Sequence, residues 1–263
     1  TDHSVFFYFW TSKSPNKADD MRVPRIYHPA PVSLQTETEL SSDAFQHLIK
    51  VLRLNVGDNI ALFNGDGQDY EATITSVQKK SAYFLATGSK VNDSESPVSV
   101  HLAQVISRGD RMDFVLQKSV ELGVTEITPL FSERCGVKLS GDRLEKKQQQ
   151  WQKIVRSACE QCGRSVVPEV KPAQQFSDFI QSTFAGLRLT LDPTATKPLS
   201  SFQHAEKGIQ LLIGPEGGFT DEEVSAAEQQ GFNPMRLGPR VLRTETAALS
   251  ALTTVQYQFG DLG

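Results

Sequence analysis

Two stretches of the chain carry residue types and spacings that could do chemistry. The first is Leu211-Leu212-Ile213-Gly214-Pro215-Glu216-Gly217-Gly218-Phe219-Thr220, an apolar run that ends in a glycine-rich loop, with Glu223 three residues beyond Thr220. The run reads as a buried strand, and Thr220 with Glu223 has capping-box spacing, so the loop feeds directly into a helix. Glycines at the carboxyl end of such a strand let a small ligand approach the backbone closely, and the helix start behind them favours negative groups. No Lys-Ser/Thr pair follows the glycines and the spacing is not G-x-G-x-x-G, so this is neither a P-loop nor a dinucleotide fingerprint. Taken alone, a tight strand-to-helix turn with no ligand accounts for it equally well.

The second stretch is Arg236-Leu237-Gly238-Pro239-Arg240-Val241-Leu242-Arg243-Thr244-Glu245-Thr246-Ala247. Gly238-Pro239 marks a turn, Thr244 reads as the cap of a last helix, and Glu245 falls in that helix's first turn. Two loops thus follow each other, each leading into a helix. Arg243 and Glu245 would stand at the mouth of any pocket between them, where a guanidinium can hold a phosphate or polarise a base carbonyl. An ordinary surface ion pair fits the same two residues.

Other reactive types are less well placed. Cys159-Glu160-Gln161-Cys162 has Cys-x-x-Cys spacing, but no second pair of ligands matches it, and it falls inside or at the end of a helix rather than ahead of one. Small helix-packing residues are the reading we carry forward. His3, His28, His101 and His204 form no ligand cluster, and no metal is expected. An odd count of three cysteines argues for a reducing compartment, with the cytoplasm as the expected location. A net charge of -4 excludes nucleic-acid binding by bulk electrostatics, so any RNA contact has to be a local patch.

The elements that must position these loops change character along the chain. Residues 1 to 20 carry an aromatic run, Phe6 to Trp10, too short to span a bilayer, then a polar stretch without periodicity; they read as an extension ahead of a start at Met21. From 21 to 91 the sequence reads as a β-rich module: Ser42 can cap a short helix, and Asn59 to Phe63, Tyr70 to Val77 and Ala82 to Ala86 read as strands separated by tight turns. Asn92 to Pro97 lacks apolar residues and is the expected linker. From 98 to 263 the pattern is α/β. Strands are expected at Val100 to Ile106, Val124 to Phe131, Leu187 to Leu191 and Ile209 to Ile213. Helices are expected after Asp110, over Leu144 to Cys162, after Thr220 and over Thr246 to Tyr257.

At these residues the sequence resembles the bacterial 16S ribosomal RNA uracil-N3 methyltransferases of the SPOUT class. The likeness runs over nearly the whole chain from Met21 onward. It is carried by Arg22-Val23-Pro24-Arg25, by His47 to Arg53 with Gly57-Asp58, by Asp110 to Asp113 with Gln117 to Val124, by Glu160-Gln161 with Arg164, and by the two loops above. The resemblance implies a small PUA-like RNA-binding β-barrel ahead of a SPOUT-type α/β domain tied into a trefoil knot, a rare exception to normal topology. It also implies a homodimer to which the last helix contributes, and S-adenosylmethionine as methyl donor. The donor would be held by Leu191, Asp192, Pro193, Ile213, Gly214, Pro215, Glu216, Gly217, Gly218, Leu237, Gly238, Val241, Leu242 and Thr246.

The implied reaction is methylation of N3 of one uridine in 16S rRNA, with the assembled small subunit as substrate. N3 is a poor nucleophile while protonated, so the site must remove a proton and stabilise the developing anion. Arg243 is the residue expected at the base carbonyl; Glu216 and Glu245 are both candidate bases. Arg22, Arg25, Lys50 and Arg53, joined by Arg108, Arg111 and Lys118, are expected to face RNA phosphates, against the alternative of an ordinary solvated face. Two other functions stay open on sequence alone: a SPOUT methyltransferase acting on another RNA or a ribose 2'-hydroxyl, and a non-catalytic RNA-binding factor in ribosome assembly.

Overall fold

Short alternating strands build the first half of the chain. They are β1 (Arg25–Tyr27), β2 (Glu37–Glu39), β3 (Asn59–Phe63), β4 (Gln68–Val77) and β5 (Ala82–Val91), paired in the order β1-β3-β4-β5-β2. The period-2 pattern is plain in β4, where Tyr70, Ala72 and Ile74 are buried and Glu71 between them is exposed. Between β2 and β3 runs α1 (Ser42–Phe45), continued by a π-helical stretch over Gln46–Val51. Its cap is Ser41 rather than the expected Ser42: the Ser41 hydroxyl accepts the Ala44 N–H at 3.2 Å. Phe45 and Leu48 then pack with Ile60, Leu62, Ile74 and Phe84 into a core of their own. The computed structural model describes residues 23–192, 194–203 and 207–263; the expected extension, Met21, Arg22 and Pro193 lie outside the described residues.

The second half is a parallel sheet with helices on both faces, as a chain of continuous apolar strands requires. Its elements are β6 (Val100–Val105), α2 (Asp110–Glu121), β7 (Glu126–Phe131), α3 (Gly141–Cys162), β8 (Glu169–Val170), β9 (Gln174–Gln175), α4 (Phe176–Ile180), β10 (Leu187–Leu191), β11 (Ile209–Ile213), α5 (Asp221–Gln229), β12 (Asn233–Met235) and α6 (Thr244–Phe259). The strand order is β12-β10-β11-β6-β7-β8, with β9 also on β7. Alternate residues of one strand serve two cores. Val100 and Leu102 join α2, α3 and α6, whereas Ala103 and Val105 join Phe176, Phe179, Ala227 and Phe232 on the other face. The apolar side of α6, including Ala248, Ala251, Leu252 and Val255, is part of the first of these cores.

Helix starts follow local chemistry. Thr220 caps α5, and the reciprocal bond from Glu223 completes the capping box. Helix α2 begins one residue earlier than expected, because Gly109 rather than Asp110 is its cap; with φ +60° and ψ -140° that position lies outside the range open to L side chains. Asp110 occupies the first turn, where its charge complements the helix dipole.

A polar junction fastens the two halves together. Arg25 spends its guanidinium on Asp69 (2.7 and 3.1 Å), the Ser165 hydroxyl (2.7 Å) and the carbonyls of Cys159 (2.8 Å) and Arg164 (3.0 Å), while stacking 3.9 Å above Phe63. This corrects the expectation that Arg25 faces RNA: its donors are consumed inside the protein. Arg164, buried itself, pairs with Glu95 (2.6 and 3.0 Å) and donates to the carbonyls of Val120 and Val124. The Asn92–Pro97 segment is therefore tied down, since Asn92 also reaches Gly163 O at 2.9 Å and Ser96 donates to Gln256 at 2.6 Å.

Two predictions follow from this junction. Arg164→Leu leaves Glu95 and two carbonyls without their partner and should lower unfolding stability by about 3 kcal/mol in urea titration; a loss under about 1 kcal/mol would contradict the assignment. For Asp69, burial opposes ionisation, but hydrogen bonds from Ser165, Asn92 and Arg25 prevail and hold its carboxyl below the ordinary 3.8. A depressed folded value means this stabilisation is present above 3.8 and is lost as pH falls through the lower folded value. Acid unfolding of the parent should accordingly be steeper than that of Asp69→Asn, and superimposable acid limbs would show that the carboxylate contributes nothing.

Candidate active site

All strands of the parallel sheet end at one edge, and the loops that leave it converge there. Between the segments after β10, β11 and β12, α5 and the start of α6 lies a cleft of about 540 Å³, within the ~300–1,000 Å³ usual for small-molecule sites. Its walls include Leu191 and Asp192, Ile213 to Glu216 with Gly218 and Phe219, and Leu237, Gly238 and Arg240 to Leu242. Helix α5 adds Asp221, Val224, Ser225 and Glu228, and α6 adds Thr244 and Ala247.

The glycine loop is shaped by two demands. Gly218 sits at φ +69°, where a side chain is strained, and a Cβ on Gly214 would stand 3.2 Å from the Phe219 ring. The loop is then held from outside by its neighbours. Arg134, in the segment after β7, donates to the carbonyls of Gly217 (3.2 Å) and Phe219 (3.3 Å). Glu223 divides its carboxylate between the Thr220 N–H (3.0 Å) and the Glu133 N–H (2.9 Å). Glu216 accepts from the Arg108 N–H (3.2 Å) and from Arg111 (3.0 Å), and Arg108 reaches across to the carbonyl of Gly136 (3.2 Å).

One hydroxyl joins the two chemistry-bearing loops. Thr244 donates to the Gly214 carbonyl at 2.6 Å and accepts from Gln104 at 3.0 Å. Gln104 is fully buried on β6, so β6, the glycine loop and α6 meet at this oxygen. Thr244 thus serves the loop rather than capping α6, whose cap is Arg243.

Charged groups of the rim divide clearly. Partial burial works against the charge on Glu216, yet backbone N–H bonds, Arg108's included, and the Arg111 guanidinium hold its carboxyl below the usual glutamate range, so it remains ionised and is a poor proton acceptor. Glu245 stands on the other side of Arg111, at 4.0 Å, and its Oε2 is buried without a hydrogen-bond partner among the described residues. Arg243 is exposed and absent from the cleft wall; its carbonyl accepts the Ala247 N–H at 2.7 Å, while its guanidinium makes no hydrogen bond or ion pair with the described residues.

Of the residues expected at the donor site, Leu191, Asp192, Ile213, Gly214, Pro215, Glu216, Gly218, Leu237, Gly238, Val241 and Leu242 line the cleft; Gly217 and Thr246 do not, and Pro193 is outside the described residues. Sequence reasoning missed Thr244, masked by its reading as a cap, and the α5 face, whose spacing of 221, 224, 225 and 228 marks one side of a helix but whose polarity resembles a solvated one. Arg134 was missed because nothing in its neighbourhood is patterned. The expected basic patch divides: Lys50 and Arg53 are exposed on the β-rich module, Arg108 and Arg111 flank the glycine loop, and Lys118 is engaged by Glu121 at 2.7 Å. Burial pushes the Cys159 thiol up to about 12, which leaves it inert. Among the described residues no group of three His, Cys, Asp or Glu could hold a metal, and no helix is long and apolar enough to cross a membrane.

Comparison with known proteins gives consistent results. A family model described as an RNA methyltransferase domain matches residues 94–256, and one described as an RNA methyltransferase PUA domain matches 40–86. The chain is 37% identical over 92% of its length, and 98% of the relative's, to the ribosomal RNA small subunit methyltransferase E of Buchnera aphidicola subsp. Schizaphis graminum. It is 33% identical to that of Bacillus subtilis, over 83% and 89%. Among solved structures, a ribosomal RNA small subunit methyltransferase E from Neisseria gonorrhoeae bound to S-adenosyl methionine superposes with TM-score 0.86 at 40% identity, over 92% of this chain and 100% of that one. A Legionella pneumophila methyltransferase structure with SAM bound gives 0.89 at 44%, with the same coverage.

Thr244→Val keeps the shape and removes the hydroxyl. It should destabilise the protein by about 1–2 kcal/mol and speed amide exchange across residues 214–219, with Thr244→Ser retaining parent behaviour. Unchanged exchange in the valine variant would show that the bond to Gly214 does not hold the loop.

Proposed function

This chain belongs to the ribosomal RNA small subunit methyltransferase E family, and on that premise we propose that it transfers a methyl group from S-adenosylmethionine to N3 of one uridine in 16S ribosomal RNA. The observation that carries the reading is the cleft itself, walled by both loops that were chemically suggestive in the sequence and fixed by the Thr244 hydroxyl between them. Its composition fits the donor. Backbone of the glycine loop and of Leu237 to Leu242 offers close approach, and Asp221 and Glu228 on α5 would supply negative charge to a donor that carries ammonium and sulfonium groups. When bound, the donor supplies an electrophilic methyl group.

The chain's own residues prepare the nucleophile. Glu245, whose Oε2 has no partner among the described residues, accepts the N3 proton and leaves N3 as a nucleophile; a bound donor would supply the methyl group and keep the sulfonium's bonding pair, departing as the neutral thioether. Glu216 is held ionised by Arg108 and Arg111, and in this reading it anchors the loop rather than acting as a base. Arg243, uncommitted at the start of α6, stabilises the negative charge that develops on a uracil carbonyl. Arg108, Arg111, Lys50 and Arg53 contact phosphates. The threading of the chain into a trefoil knot and the pairing of two copies belong to the same proposal; Phe114 on α2 and Tyr257 on α6 remain exposed on adjacent helices and would be covered in such a pair. The same proposal has the protein acting in the cytoplasm, with the assembled small subunit as substrate.

The test is donor-dependent methyl transfer onto small subunits from cells lacking the activity, followed by mass spectrometry of nucleosides. N3-methyluridine is the expected product; a 2'-O-methyl nucleoside, or no retention of the donor in calorimetry, would overturn the reading. Arg243→Ala should abolish turnover with the fold intact. Glu245→Gln should lower kcat by roughly 10²–10⁴-fold without weakening donor binding, and undiminished turnover would remove Glu245 as the base.

A further inference from the structure

A second cavity, of about 290 Å³, lies where the β-rich module meets α3, and the reaction described above makes no use of it. Helix α3 lends it one face, with Lys153, Arg156, Ser157 and Glu160 at helical spacing; the other wall comes from Tyr27 on β1 and from Ser42 at the start of α1.

The state of these groups is informative. Lys153 is neutralised by Asp43 at 3.1 Å. Arg156 lies 4.9 Å above the Tyr27 ring, has no carboxylate within ion-pair distance among the described residues, and keeps its Nε buried without a hydrogen-bond partner. A guanidinium fixed by stacking but lacking a counterion is poised for an anion, and its fork of donors matches phosphate. The hydroxyls of Ser157 and Ser42 make no hydrogen bond with the described residues. One oxygen of Glu160 accepts the Tyr27 N–H at 3.0 Å, which leaves the other for a hydroxyl or a base N–H. Ile26, Pro29 and Ala44 give an apolar floor.

Resting on the RNA-modifying function proposed above, we propose that this groove binds one unpaired nucleotide of the RNA substrate, its phosphate on Arg156 and Ser157 and its sugar and base over the apolar floor. The volume admits a single nucleotide and not a duplex, which favours a single-stranded segment, as in most recognition of RNA bases. The site is also remote from methyl transfer. Helix α3 starts just past the segment whose Arg134 holds the glycine loop, and residues 153–160 lie 12–19 positions further on, or about 18–29 Å along the helix axis. The groove therefore acts on RNA affinity and not on the chemical step.

The experiment measures binding directly and apart from turnover. Retention of unmodified small subunits and of a labelled single-stranded oligoribonucleotide is followed across salt concentrations for the parent, for Arg156→Ala, and for Ser157→Phe, which fills the groove from an exposed position without removing charge. Donor binding and single-turnover rates at saturating subunit are measured alongside. Both variants should bind RNA about five- to tenfold more weakly, with donor affinity and single-turnover rate unchanged. Arg156→Ala should also lower the slope of log affinity against log salt by about 1. Parent-like RNA binding in both variants, or no RNA binding by the parent, overturns the groove. Failure of the parent to methylate subunits while these binding differences persist would instead count against the activity alone.

Discussion

A single hydroxyl, that of Thr244, fixes the spatial relation on which the site depends. It links a buried amide on a central strand, the carbonyl at the mouth of the glycine loop and the first turn of the last helix. Those elements are distant in sequence, and the cleft exists only while they keep their spacing. The geometry is rigid because Gln104 is fully buried and the two hydrogen bonds leave Thr244 little rotational freedom.

Around that point the loops are held by charge rather than by packing. Arg108, Arg134, Glu216 and Glu223 each reach from one strand-end segment to the backbone of another. Side chains that would ordinarily be solvated are used as struts, because loops at a sheet edge have little apolar surface to bury. The same economy gives Glu216 and Glu245 different environments on either side of Arg111: one saturated with donors, the other left with an unpartnered oxygen.

Much of this was legible in the sequence where the physics is local. The capping box at Thr220 and Glu223, the strand at Ile209–Ile213 and the glycine loop each follow from neighbouring residues, and all are present as read. Arg25 was not legible, because an exposed phosphate-binding arginine and a buried junction arginine look alike until Asp69, Ser165 and two distant carbonyls are brought around it. Thr244 satisfied the local rule for a cap and was used for a contact thirty residues away. Its role is set by tertiary geometry, as is that of the α5 face, whose exposed polar residues line the cleft. Cys159 and Cys162, by contrast, were read as helix-packing residues, and both lie on α3 against the first core.

Helix α3 has a mechanical consequence. It runs 22 residues without a break, about 33 Å, from the loops beside the cleft to the junction where Arg25 and Glu160 clamp its far end to the β-rich module. Clamped at that far end and tied to α2 by Lys147 and Asp113 at 3.1 Å, the rod sets the span between cleft and module, so the protein behaves as a caliper of fixed opening. An RNA would then be selected by whether two of its features lie one rod-length apart in the folded particle, a criterion that no loose strand of the same sequence could meet.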